Sequence, residues 1–258
     1  MTLVELAWDD LTASAVAAGI GGVLLGGLLR GFTGFGLPLA AVPIMTVVMT
    51  PALAVPAMLL LQIVAGLQTL PRSYRSIHWP ALAWLAVGAL TGIPLGVATL
   101  ALLPPDVMRL LIGLAMLLAV VALSWGLRLK HMPGVAARLG TGAIAGVLSG
   151  AAAMPGPPVV VFFLASPASA AVSRASLQFF FMLTGFASLS LGIVSGIVTW
   201  TTAVLALLLT PALMLGTWAG EQAFHRTEGR NYRPAAIAVL LAIGVLATMR
   251  ALWALLNP

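Results

Sequence analysis

Residues 30–45, "RGFTGFGLPLAAVPIM", decide how the chain is read. The segment is apolar, yet it holds Gly31, Gly34, Gly36, Pro38 and Pro43, and it opens on Arg30. Proline inside a helix removes a hydrogen bond, and in hydrocarbon the freed carbonyl has no water to turn to. The surroundings place it in such a medium. Residues 31–71, 139–173 and 175–220 carry no formal charge, and one helical span needs about 20 residues, so each run holds roughly two crossings. Across all 258 residues, 61% are hydrophobic, only 7% are charged, and mean hydropathy is +1.12. The chain reads as an integral membrane protein.

Charge then sets the topology. Arg72 with Arg75, Arg128 with Lys130 and Arg138, and Arg226 with Arg230 and Arg233 form three basic connections, which the positive-inside rule assigns to the cytoplasm. Glu5, Asp9 and Asp10 precede the first apolar run, so the opening segment is expected to be mature protein rather than a cleaved signal peptide. The net charge of +6 is scattered at the ends of apolar runs, which argues against a nucleic-acid partner. With no cysteine there is no disulfide framework and no thiolate metal site. Carboxylates are too few for an intramembrane acid/base or metal pair. "GVLSG" around Ser149 has no histidine or carboxylate at its depth to activate it. No catalytic residue, metal ligand or cofactor is expected, and the protein reads as not an enzyme.

The expected fold is an all-α polytopic bundle of about ten apolar segments. Eight long helices are expected at 11–30, 51–70, 79–102, 106–127, 137–150, 172–193, 198–220 and 233–254. Two further segments, 31–50 and 151–168, are broken by glycine and proline. An internal repeat relates them: "GLLRGFTGFGLPL" from Gly27 lies over "GVLSGAAAMPGPP" from Gly146. Further on, "TPALAVPAMLLLQ" ending at Gln62 lies over "SPASAAVSRASLQ" ending at Gln178, and "GALTGIPLG" from Gly88 resembles "PALMLGTWAG" ending at Gly220. The chain thus divides into membrane repeats 1–130 and 131–258. If the broken segments cross, the repeats are inverted and all three basic loops are cytoplasmic. Re-entrant segments would instead put the loop of Arg226, Arg230 and Arg233 outside, so the inverted arrangement is preferred.

Glycines at four-residue spacing, among them Gly88, Gly92 and Gly96 and Gly142, Gly146 and Gly150, are read as close helix packing. The paired breaks are read as function. Inverted-repeat transporters hold substrate between discontinuous helices, whose half-helix N-termini offer unpaired N–H groups to anions. The candidate substrate contacts are Thr33, Gly34, Phe35, Gly36 and Pro38 in one break and Ser149, Ala153, Met154, Pro155, Gly156 and Pro157 in the other. Thr33 and Ser149 can equally cap local turns. Gln62 and Gln178 are amides in the middle of apolar helices, and their matched positions favour a binding role. Arg30 and Arg174 are expected to snorkel to the interface, with an anion clamp as the alternative. Glu221 is the one candidate proton carrier near a span, with interface solvation its ordinary role.

A duplicated unit in which "GLLRGFTGFGLPLAAVP" precedes an apolar helix, a short basic turn, a "GALTGIPLG" helix and a Pro-Pro-Asp-led helix resembles the sulfite exporter TauE/SafE family, also described as toluene sulfonate uptake permeases. The family's glycine-rich run maps onto Gly31, Gly34, Gly36, Leu37 and Pro38, and in the second half onto Gly150, Ala153, Pro155, Gly156 and Pro157. Leu37 and Pro38 stand where the family has glycine. The resemblance implies a multi-pass carrier of the bacterial cytoplasmic membrane that moves sulfite or an organosulfonate such as sulfoacetate by alternating access. Its expected partners are a small anion and the lipid bilayer, with a homodimer admitted as an assembly. A passive anion channel and a non-transporting membrane scaffold are the alternatives.

Overall fold

The computed structural model describes residues 12–124 and 132–226, with residues 241, 242, 245, 248, 249 and 253 beyond them. Glu5, Asp9, Asp10, Arg128, Lys130, His131, Arg230, Arg233 and Arg250 lie outside the described residues, and so does most of the last expected helix, 233–254.

Among the described residues every regular element is helical. Helix α1 spans Ala13–Thr33, α2 Leu37–Met45, α3 Pro51–Ser73, α4 Trp79–Leu102, α5 Pro105–Ser124, α6 Val135–Ala152, α7 Gly156–Ala165, α8 Ala170–Val194 and α9 Trp200–Arg226; one 3-10 turn, Tyr74–Ser76, follows α3. Six of these, α1, α3, α4, α6, α8 and α9, are long and apolar enough to cross a membrane, and α2 and α7 are half-length pieces. Leu90, Leu95, Leu207, Trp200 and Trp218 are exposed on their outer faces, where a lipid-facing surface needs apolar side chains.

Local chemistry sets the boundaries. The Thr12 hydroxyl accepts from the Ala15 N–H, Ser169 accepts from Val172, and the His78 imidazole accepts from Ala81, each capping a helix start. Prolines open α2, α3, α4 and α7, where the first turn has no use for the missing N–H. One expectation is corrected here. The first helix does not end at residue 30 but runs to Thr33, so Arg30 and Gly31 are helical and the break is confined to Gly34, Phe35 and Gly36. In apolar surroundings a helix keeps its internal hydrogen bonds until sterics forbid it.

Glycine stripes decide the pairing. A Cβ at Gly92 would fall on the Ala143 carbonyl oxygen, and one at Gly96 on that of Val147, while Gly142 and Gly146 meet the carbonyls of Leu85 and Ala89. The register rises together on both chains, so α4 and α6 run parallel in backbone contact. Gly27 and Gly31 meet α9 at residues 213–221 in the same way, so α1 and α9 are parallel too. By contrast Gly66 faces Met182 and Gly185 faces Leu59 and Ile63, so α3 and α8 are antiparallel. Helix α2 folds back along α1, with Leu37 against Gly26 and Ala41 against Gly22.

These contacts come in matched sets. Packing of α1 on α9 matches that of α6 on α4, α3 on α9 matches α8 on α4, and α1 on α2 matches α6 on α7. The tightest pairs therefore join helices before residue 130 to helices after it. Phe35, in the first break, packs against both apolar cores, one built around Leu37, Met58 and Met154 and the other around Leu85, Phe163 and Phe180.

Candidate functional site

Both breaks are made by one device. Helix α1 ends on Gly34, whose φ of 85° is left-handed and whose N–H donates to the Arg30 carbonyl at 2.7 Å. Gly36, at φ 99°, then turns the chain into α2. Helix α6 ends on Ala153, with φ 55° and ψ 23°, where the Ala153 N–H donates to the Ser149 carbonyl and the Met154 N–H to that of Leu148. Ala153 stands at the repeat position of Gly34, and it is the only non-glycine with positive φ among the described residues. An alanine there costs about 1–2 kcal/mol, which the surrounding contacts must hold.

Each break is held by a side chain far away in the sequence. Gln62, on α3, donates from Nε2 to the Ala153 carbonyl at 2.8 Å. Arg174, on α8, donates from Nη2 to the Gly31 carbonyl at 2.8 Å, and its stem lies where a Cβ on Gly34 would be. The contact on the first break thus comes from Arg174 and not from Gln178, the repeat partner of Gln62, which is buried one turn further along α8.

Arg30 does not snorkel. Its side chain is 2% exposed, Nη2 donates to the Ala65 carbonyl on α3 at 2.9 Å, and Nε has no partner among the described residues. A long apolar stem reaches the interface only when nothing nearer accepts, and Ala65 lies nearer. Arg174 bonds the Gly31 carbonyl and the Glu221 backbone lies against Gly31, so all three residues come from around one end of α1. Glu221 is half-buried beside Gly31, where α9 crosses α1. Gln62 is 1% exposed, and its Oε1 has no partner among the described residues. A buried polar atom left without a partner costs about 1–3 kcal/mol, which marks both as places a ligand can complete.

The remaining candidates divide. The Thr33 hydroxyl lies 2.7 Å from both the Leu29 and Phe35 carbonyls and accepts from the Phe35 N–H, so it caps the turn. Ser149, which takes the repeat position of Arg30, shares a fully buried hydrogen bond of 3.0 Å with Ser188 on α8. Positive charge therefore gathers at the first break and is absent from the matching place in the second. Pro38, Met154, Pro155, Gly156 and Pro157 are buried at the starts of α2 and α7, neither of which has a side-chain cap. No group of histidine, cysteine and carboxylates able to hold a metal occurs among the described residues.

Sequence reasoning missed one brace. Arg109, on α5, pairs with Asp106 and donates to the Thr46 carbonyl at 2.8 Å and to that of Met49, holding the C-terminal end of α2. The available signal was a cation three residues after an acid in an otherwise apolar helix, facing carbonyls left open where α2 ends.

Comparison with known proteins adds an independent line. A family model described as "Sulfite exporter TauE/SafE" matches residues 18–247. A curated protein of Cupriavidus necator named "Probable sulfite/organosulfonate exporter TauE" is 28% identical over 222 residues, covering 82% of this chain and 85% of that protein. No solved structure matches the chain.

Proposed function

The chain belongs to the sulfite exporter TauE/SafE family of membrane transporters, and from that membership we propose that it is a secondary carrier of a small sulfur-containing oxyanion, sulfite or an organosulfonate such as sulfoacetate. It works by alternating access in the bacterial cytoplasmic membrane. The carrying observation is the buried Arg30, whose Nε–H lacks a partner among the described residues, beside a helix break held by Arg174 on α8. Two guanidiniums against one carboxylate leave net positive charge where α2 begins, and that suits an anion.

Helix directions support inverted repeats. The corresponding helices α3 and α8 are antiparallel, while α1 runs with α9 and α4 with α6. Short connections at residues 74–78 and 195–199 reverse the chain between α3 and α4 and between α8 and α9. Helices α1 and α3 then point the same way, and the segment from Gly34 to the start of α3 must cross back between them. This favours broken segments that cross the membrane and ten crossings in all. Substrate would lie between the broken backbones, near Gln62 and Gln178, with Glu221 as the counter-charge to Arg30. The contacts of Gln62 with Ala153 and of Arg174 with Gly31 join the halves, so they are the bonds that rocking must exchange.

In proteoliposomes a carrier saturates and shows counterflow, a channel conducts without exchange, and a scaffold does neither. Arg30→Gln keeps a donor for Ala65 but removes the charge. It is expected to weaken sulfite binding by about 1.5–3 kcal/mol, the worth of a hydrogen bond to a charged group, read as lost thermal stabilisation of the purified protein. Unchanged binding and uptake in Arg30→Gln, and in Gln62→Ala with Gln178→Ala, would sink the site.

A further inference from the structure

We propose that the anion held at Arg30 and Gln62 is recognised in its monoprotonated form, accepting from the guanidinium and donating its own O–H to the amide, so that the proton crosses attached to the substrate. The inference rests on the anion-carrier reading and sharpens it to a substrate class.

The orientation of Gln62 carries the argument. The Ala153 carbonyl can only accept, so the amide nitrogen must face it, and the 2.8 Å bond fixes which end is which. Oε1 is thereby turned away from Ala153, inside the protein, with no donor to meet it among the described residues. Arg30 supplies the complementary case, a buried Nε–H with no acceptor among the described residues. Arg30 is tied to the carbonyl of Ala65, three residues after Gln62, so both groups are anchored to the same turn of α3. A ligand completing both must offer one acceptor and one donor. A fully ionised oxyanion has only acceptors, and against Oε1 it sets oxygen against oxygen. A hydrogen-sulfite-like monoanion has both.

Charged neighbours do not supply the missing donor from another direction. Among the described residues, α2, α4 and α7 contain no titratable side chain. Arg174 on α8 is turned to Gly31, and Glu221 on α9 is an acceptor when ionised. On α5, Asp106 and Arg109 pair with each other at the Thr46 end of α2, and Arg138 at the start of α6 bonds Pro133 and Pro80. With so few acids, a proton bound to the substrate oxygen on entry and released with it on exit needs no side-chain relay.

The test compares sulfite with methanesulfonate, a monoanion of similar shape with no O–H, on the purified full-length chain at pH values spanning the second ionisation of sulfite. Binding is read as thermal stabilisation against ligand concentration. The expected result is that apparent sulfite affinity follows the monoprotonated fraction, falling about tenfold per pH unit above that ionisation. Methanesulfonate is expected to bind roughly 10- to 100-fold more weakly at the acid end, because it leaves Oε1 unpaired. Its own pH profile reports any pH dependence of the protein itself and is subtracted. Gln62→Met is expected to bring sulfite down to the methanesulfonate level and to flatten its pH dependence. Should that variant fail to fold, the comparison in the unaltered protein still decides. Equal affinity for the two ligands, or sulfite binding that ignores pH, overturns the inference and leaves the anion site standing. Binding of neither ligand overturns both the site and the inference.

Discussion

Gly34 and Ala153 take the same left-handed turn at matched places, and chemistry treats them differently. For Ala153→Gly, relief of about 1–2 kcal/mol of strain is offset by the roughly 0.5–1 kcal/mol of extra freedom glycine loses on folding. The expected outcome is a melting temperature in detergent that is unchanged or slightly raised. Gly34→Ala is expected to lose about 2 kcal/mol or more in the same measurement. It adds the strain and also drives a methyl into the stem of Arg174, loosening its hold on Gly31. Equal effects of opposite sign at the two sites would show that strain alone matters and that Arg174 is no obstacle. At this scale the sequence was partly legible. Gln62, which meets the second break at Ala153, could be singled out because a duplicated polar residue in an apolar helix is visible by eye. The fate of Arg30 was not, since the carbonyl that captures it belongs to Ala65, far along the chain, and hydropathy cannot tell an inward cation from a snorkelling one.

Among the helices, the four-residue glycine spacing announced close packing but did not name the partners. Gly88, Gly92 and Gly96 present much the same small face as Gly142, Gly146 and Gly150, and only assembly decides that α4 takes α6 and α1 takes α9. The half-helices were legible for a related reason. Pro38 and Pro157 suit a first helical turn, so the restarts of α2 and α7 could be read, and Gly31, which leads toward the break, is packing surface against α9 as its spacing from Gly27 suggests. The seam gives a direct test. In Gly92→Ala the new methyl meets the Ala143 carbonyl, α4 and α6 must part, and a loss of about 1–3 kcal/mol is expected in thermal unfolding. Gly140→Ala, on the same α6 but with nothing near its added carbon, is expected within about 0.5 kcal/mol of the parent. A Gly92→Ala protein as stable as Gly140→Ala would mean that the backbones are not in contact.

At the scale of the molecule, the distribution of arginines and lysines points to a topology, because charge stays where it need not cross lipid. It could not supply the helix directions, which depend on which small faces meet. Those directions, with α3 against α8 antiparallel and α1 and α9 parallel, now bear on the same question independently. The two arrangements differ at one connection. With inverted repeats the α8–α9 connection lies on the face opposite the α3–α4 connection; with re-entrant segments both share a face. The chain has no cysteine, so single introduced thiols report without background. Ser76→Cys, Pro104→Cys, Gly134→Cys and Ser195→Cys all fall at exposed connecting positions. With a membrane-impermeant maleimide on spheroplasts, Pro104→Cys and Ser195→Cys are expected to label at once, and Ser76→Cys and Gly134→Cys only after permeabilisation. Each half would then present its α3–α4 or α8–α9 turn to a different side, as rocking of two inverted units about a central anion requires. If Ser195→Cys labels together with Ser76→Cys, the broken segments dip in and return, and the site at Arg30 and Gln62 opens to one side of the membrane alone.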